Sequence, residues 1–222
     1  MTRLRHSEPG WTLVLPVKGG RHAKSRLGRL APLSAAIALD TIEAVVGCAA
    51  VAQTLVVTSD DALAGQAIAR GACVRPEQSP GGGLNAAVAD GLAGLQGPVG
   101  VLLADLPALR PEDLEAALAA VTLALTVGDG QADVAGWAVV PDADGTGTVL
   151  LAGAAADLLR PAFGPGSAEA HVARGAVRLD LDLPRMRRDV DTPADLDLAA
   201  ALGLGSNVTS ALAAPRAAVR LP

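Results

Sequence analysis

Aromatic side chains are nearly missing from this chain: Trp11, Trp137 and Phe163 are the whole set in 222 residues. Base-stacking platforms for single-stranded nucleic acid are therefore lacking, and a net charge of −5 further disfavours a polyanionic partner. Cysteine is just as scarce. Cys48 and Cys73 make neither a disulfide framework nor a zinc-ligand spacing. Both are expected to be small core residues of a cytoplasmic protein. The first apolar run, Trp11 to Val17, is too short for a membrane span or a secretory leader and ends at Lys18. A Walker phosphate loop is absent, which disfavours a P-loop ATPase or kinase. His6, His22 and His171 show no pairing with a nucleophile, so a Ser-His hydrolase has no support.

What the chain does have is aliphatic bulk. At 50% hydrophobic residues it can build a substantial Leu, Val, Ile and Ala core, and one domain over residues 1–205 is enough to hold it. Thr12 to Val17 reads as a strand, and a helix opened by Ser34 follows. Thr54 to Thr58 is a second strand, Ser59 or Asp60 caps a helix to Arg70, and Ala72 to Arg75 is a third strand. Leu84, Val88, Leu92 and Leu95 lie at steps of four, four and three, one face of a helix with Asn85 in its first turn. Val99 to Leu103 is the next strand, and Pro111 opens a helix carrying Leu114, Leu118 and Val121. Such alternation predicts an α/β fold with a mostly parallel sheet and a ligand site at its carboxyl edge. Strands over Ala132–Val140, Thr148–Leu151 and Ala176–Leu181 are expected beyond it. A short helical piece from Ser167 to Arg174 and a helix from Pro193 to about Leu202 complete the order. Residues 206–222, rich in small side chains, read as a mobile tail.

Two acids stand where such a fold does its chemistry. In Val101-Leu102-Leu103-Ala104-Asp105-Leu106-Pro107 a strand runs into a carboxylate and then a proline that ends the ladder. In Arg188-Asp189-Val190-Asp191-Thr192-Pro193-Ala194-Asp195 three acids precede or enter a helix start. Asp105 and Asp189, brought together, suit magnesium and through it nucleotide phosphates. An acid in either place serves equally as a helix cap or turn former, and Asp191 or Thr192 before Pro193 fits an N-terminus.

Lys18, Arg21, Lys24 and Arg26 fall within nine residues after the first strand, where cations would face a triphosphate. A solvated basic loop is the alternative. Gly145-Thr146-Gly147-Thr148 and Phe163-Gly164-Pro165-Gly166-Ser167 each place backbone amides near a hydroxyl, a pairing that holds a small anion or simply makes a turn.

In combination these segments resemble the guanylyltransferases of deazaflavin coenzyme biosynthesis, which activate phosphoenolpyruvate or 2-phospho-L-lactate. The resemblance runs from Val17-Lys18 and Lys24-Ser25-Arg26-Leu27, through Leu84-Asn85, Ala104 to Leu109 and the two glycine segments, to Asp189 to Leu196. It implies a Rossmann-like, three-layer nucleotide-diphospho-sugar-transferase-like fold. It also implies that Asp105 and Asp189 carry magnesium and that Lys18, Lys24 and Arg26 hold the GTP phosphates. Leu84 and Asn85 would lie near guanine or ribose. Thr148 and Gly164 would offer backbone amides, and Ser167 its hydroxyl, to a small phosphorylated three-carbon acid.

The expected reaction is transfer of GMP from GTP to that acid with release of pyrophosphate, and Lys18, Asp105 and Asp189 are the residues that catalysis would rest on. Within that family the chain most resembles the actinobacterial branch, and this resemblance implies phosphoenolpyruvate as acceptor. A nucleotide-sugar-dependent glycosyltransferase, a molybdenum cofactor guanylyltransferase and a non-catalytic nucleotide-binding regulator are the alternatives. Neither nucleic acid nor a membrane is expected as a partner.

Overall fold

The computed structural model describes residues 10–17, 33–79, 81–126 and 136–214. A seven-stranded sheet forms the middle layer, in the order β3-β2-β1-β4-β6-β5-β7. Its strands are β1 (Trp11–Pro16), β2 (Val51–Thr58), β3 (Cys73–Pro76), β4 (Val99–Leu102), β5 (Trp137–Pro141), β6 (Thr148–Gly153) and β7 (Val177–Arg178). β1 pairs in parallel with β2 and β4, β2 with β3, and β5 with β7, while β6 runs antiparallel between β4 and β5. The sheet is thus mostly parallel, as the alternating pattern predicts.

Helices α1 (Ser34–Val46), α2 (Asp61–Ala69), α3 (Leu84–Leu92) and α4 (Pro111–Thr126) link the first strands. Helices α5 (Ser167–Val172), α6 (Pro184–Arg187), α7 (Pro193–Leu202) and α8 (Ser206–Ala213) follow the later ones. Both faces of the sheet are covered, which is why the strands read as unbroken apolar runs. In β1, Leu13 and Leu15 point to one face, with Ile42 of α1 and Leu114 and Leu118 of α4. Val14 points to the other, with Val88 of α3. Gly91 lets α3 lie directly on the sheet, since a Cβ there would come within 2.3 Å of Val14 Cγ1 and 2.9 Å of Val57 Cγ2.

Several expectations change in detail. β2 begins at Val51, and β7 covers only Val177–Arg178 of the strand expected from Ala176 to Leu181. Cys48 is buried as expected, but Cys73 is exposed, because β3 is an edge strand. Residues 206–213, read as the start of a mobile tail, form α8 instead. Small residues alone would not hold it, but Val208 is fully buried, and the half-submerged end of the helix is held by Asp40. That carboxylate accepts from the backbone amide of Asn207 at 2.8 Å, its side-chain amide at 2.8 Å and the backbone amide of Val208 at 3.0 Å. The anion therefore satisfies the otherwise open first-turn donors of the helix.

The order of the strands decides where a ligand goes. From β1 the chain first builds outward to β2 and β3, then crosses back to β4 on the other side of β1. That reversal between β1 and β4 opens a crevice at their carboxyl ends, and Asp105 follows β4 three residues after Leu102. β5 ends on the same edge at Pro141, and antiparallel β6 begins there at Thr148. Among the described residues no helix is long and apolar enough to cross a membrane.

Candidate active site

Two acidic segments distant in sequence meet at this edge. The backbone amide of Val190 donates to the backbone carbonyl of Asp105 at 3.0 Å. Val190 itself is buried in a small apolar cluster with Ile37, Ala108 and Leu196, so the segment is anchored by its valine, and the charges of its flanking acids are felt at Asp105. Upstream, Arg185 of α6 grips Asp113 of α4 through two bonds of 2.8 Å each. This bidentate pair sets the entry of the chain toward Asp189.

The acids divide their tasks. Of the two residues that fit the helix start, Thr192 is the one that caps α7, and Asp195 closes a capping box with it. Asp191 is exposed. Asp105 and Asp189 are both half-buried, and Asp105 Oδ1 reaches no solvent and meets no hydrogen-bond donor among the described residues. Burial, reinforced by Asp189 and Asp191, pushes the Asp105 carboxyl up to about 7. Burial followed by the charge of Asp142 pushes that of Asp189 up to about 6. Two carboxylates crowded together with a bare buried oxygen form a site that favours a proton or a cation. No group of three or more His, Cys, Asp or Glu side chains able to hold a metal occurs among the described residues. What fits a cation is the bare buried Oδ1 of Asp105 beside a second carboxylate, a hard oxygen pair that leaves the rest of a magnesium shell to phosphate oxygens and water.

Asp142 is the acid that sequence reading missed. It ends β5 as Asp105 ends the β4 segment, a strand running into an acid beside a proline, so the same signal was present in Val140-Pro141-Asp142. Its carboxylate accepts from Thr146 N at 2.9 Å and Gly147 N at 2.7 Å. Those two amides of the first glycine segment thus close a turn around Asp142. Arg187 reinforces the turn from outside, donating to the carbonyl of Asp142 at 2.8 Å and that of Pro141 at 3.1 Å. The residue after the turn is Thr148, buried at the start of β6.

The second glycine segment comes to the same place. Ala168 N donates to Thr146 O at 3.1 Å, and Ser167 Oγ lies 3.0 Å from Thr148 Oγ1. Gly164 has φ of 144°, a backbone shape that side chains strain against, and no partner for its amide occurs among the described residues. Asn85 holds this loop rather than standing apart from it. Its side-chain amide donates to Phe163 O and its side-chain oxygen accepts from Phe163 N, both at 2.9 Å. Leu84 packs beneath, against the cluster that contains Phe163. Thr148, Gly164 and Ser167 are therefore brought together. Asp105 and Asp189 are brought together beside them, with Asp142 joining the two halves. Lys18, Lys24 and Arg26 lie outside the described residues.

The model of the MobA-like NTP transferase domain matches residues 30–185. A phosphoenolpyruvate guanylyltransferase of Salinispora arenicola is 48% identical over 202 residues, covering 88% of this chain and 90% of the relative. This chain belongs to that family. A phosphoenolpyruvate guanylyltransferase of Streptomyces coelicolor is 47% identical over 217 residues, 92% of this chain and 96% of its own. A nucleotidyl transferase from Methanothermobacter thermautotroptrophicus superposes with a TM-score of 0.58 at 17% identity, covering 87% of this chain and 97% of that one. The nucleotide-diphospho-sugar-transferase-like fold expected of the family is the fold observed.

Proposed function

We propose that this chain transfers GMP from GTP to phosphoenolpyruvate and releases pyrophosphate, as a cytoplasmic enzyme of deazaflavin coenzyme biosynthesis. The observation that carries the reading is the buried Oδ1 of Asp105, without a hydrogen-bond partner among the described residues, beside Asp189 at the crevice between β1 and β4. The names of the relatives at 48% and 47% identity support the acceptor. In the reaction a phosphate oxygen of the acceptor attacks the α-phosphorus of GTP. The bond from that phosphorus to the bridging oxygen breaks, and pyrophosphate leaves with the electron pair.

Both reactants are anions, and two unit charges 4 Å apart repel by about 4 kcal/mol at an effective dielectric of 20. Cations must offset that repulsion before the phosphorus is reached. Asp105 and Asp189 would hold magnesium, which neutralises phosphate charge when bound. Lys18, Lys24 and Arg26 would add their charges along the triphosphate, and Leu84 would lie near the guanosine. Thr148, Gly164 and Ser167 would orient the three-carbon acid. No general base is needed, because the attacking phosphate is already ionised near neutral pH.

Pyrophosphate release with GTP or ATP, with and without magnesium, tests this reading for phosphoenolpyruvate and 2-phospho-L-lactate. The expected result is turnover that needs GTP and magnesium, with kcat/KM higher for phosphoenolpyruvate. The two acids share carboxylate and phosphate and differ in the second carbon and its substituent, planar with a methylene in one and tetrahedral with a methyl in the other, worth about 1–3 kcal/mol in a shape-selecting pocket. A preference for 2-phospho-L-lactate would reassign the acceptor, and GTP binding without turnover of either acid would make the chain a nucleotide-binding regulator.

A further inference from the structure

His171 takes no part in the reaction above, yet it is fully buried and contacts both sides of the acceptor half-site. Two of the three aromatic side chains in the chain pack edge-on to its ring, Trp137 at 6.1 Å between centroids and Phe163 at 5.1 Å. The ring orientation is thereby fixed. On one side the backbone amide of Ala162 donates to Nε2 at 2.9 Å. On the other, Nδ1 lies 3.0 Å from Thr148 Oγ1, which lies 3.0 Å from Ser167 Oγ. Burial, with the nearby Arg174, lowers the His171 pKa to about 4, so the ring is neutral near pH 7.

A neutral imidazole has one donor and one acceptor nitrogen. A backbone amide can only donate, so Nε2 is the acceptor and the proton resides on Nδ1. Nδ1–H then donates to Thr148 Oγ1. The chain His171, Thr148, Ser167 has two contacts and three protons: one N–H and two O–H. One O–H is left over, whichever hydroxyl donates to the other. With the opposite tautomer Thr148 would donate to Nδ1 and Ser167 to Thr148. Both hydroxyl protons would be used, and only lone pairs would face an incoming ligand.

We propose that His171 is a positioning residue, whose Nδ1–H tautomer makes the Thr148–Ser167 pair present a hydroxyl donor to the anionic acceptor. This inference rests on the reading that Thr148 and Ser167 bind the three-carbon acid. It gives Ala162 a role no sequence motif suggests, since its amide chooses the tautomer. Sequence reading passed over His171 because it sought a nucleophile partner, and the partners here are hydroxyls that bind rather than attack.

Two substitutions separate the two nitrogens. His171→Asn can place an amide N–H near the position of Nδ1, whereas His171→Gln can place an oxygen near that of Nε2 and lacks the donor to Thr148. Steady-state kinetics with phosphoenolpyruvate, GTP and magnesium should show the acceptor KM raised about tenfold or more in His171→Gln, with the GTP KM within about twofold. His171→Asn should recover most of that loss. Equal effects of the two variants on both KM values, or better recovery by Gln than by Asn, would overturn the proposal. The imidazole tautomer of the wild-type protein, read by nitrogen-15 NMR, needs neither variant to fold: a proton on Nδ1 is expected, and a proton on Nε2 would overturn the proposal. Failure of the wild-type protein to turn over either acid would instead sink the acceptor reading, and the NMR result would still judge the tautomer.

Discussion

The backbone amide of Val190 donates to the carbonyl oxygen of Asp105 at 3.0 Å, so the acidic pair is assembled by main chain and not by the acids themselves. Its consequence is that either carboxylate can be altered without removing the bond that brings the segments together. Substitutions at Asp105 and Asp189 therefore report on chemistry more than on folding.

Asp105→Asn and Asp189→Asn should each lower kcat by about 100-fold or more, since an amide cannot neutralise a cation that offsets phosphate charge. A magnesium titration of turnover checks this. Near wild-type activity in either variant would show that acid to be a turn former.

The same pair makes stability depend on pH. Both carboxyls have folded-state pKa values above the ordinary value, about 7 for Asp105 and about 6 for Asp189. Their contribution to stability is fully present below the unfolded pKa and is lost as pH rises through the folded values. Without magnesium, this contribution is lost between about pH 4 and about pH 7, partly offset up to about pH 6.5 by His171, whose folded pKa is lowered to about 4. Tm should fall on balance, and Asp105→Asn should flatten that fall. Added magnesium should raise Tm more at the higher pH. Calorimetry that found the metal-free protein more stable at the higher pH, with no change on Asp105→Asn, would refute the crowded pair.

Asp142 should matter to stability and to the acceptor. Asp142→Ala removes the acceptor of Thr146 N and Gly147 N, and bonds to a charged group are worth about 1.5–3 kcal/mol each. Partial rehydration of the freed amides should reduce the measured loss to about 2 kcal/mol, readable as a lower urea midpoint. The acceptor KM should rise with little change in the GTP KM. An unchanged midpoint would mean that the turn closes without the carboxylate.

Asn85 tests the boundary between nucleotide and acceptor. Because its carboxamide is engaged by both backbone groups of Phe163, Asn85→Ala should loosen the loop that carries Gly164 and raise the acceptor KM several-fold. A rise confined to the GTP KM would return Asn85 to the guanosine side, where the family resemblance put it.

Legibility in the sequence followed the range of the interactions. Asp105 was readable because a strand, an acid and a proline lie within a few residues, and Thr192 because a hydroxyl directly before a proline marks a helix start. Asp142 carried the same local signal as Asp105. Cys73 was misread because edge position is a property of the sheet, and a four-residue strand looks the same at an edge or in the middle. The helix at 206–213 was missed because its cap, Asp40, lies on a different helix.

By itself the sequence determined the α/β alternation, the aliphatic core and the two acidic segments, since periodicity, propensity and turn chemistry act over a few residues. The tertiary structure alone decided that β4 crosses back beside β1, that Val190 meets Asp105, and that Asp142 joins the acids to the hydroxyl pair. It alone turned His171 from an unpaired histidine into a neutral ring between Ala162 and Thr148. These contacts join residues far apart in the chain, and their hydrogen bonds gain strength from burial that exists only once the sheet is covered on both faces.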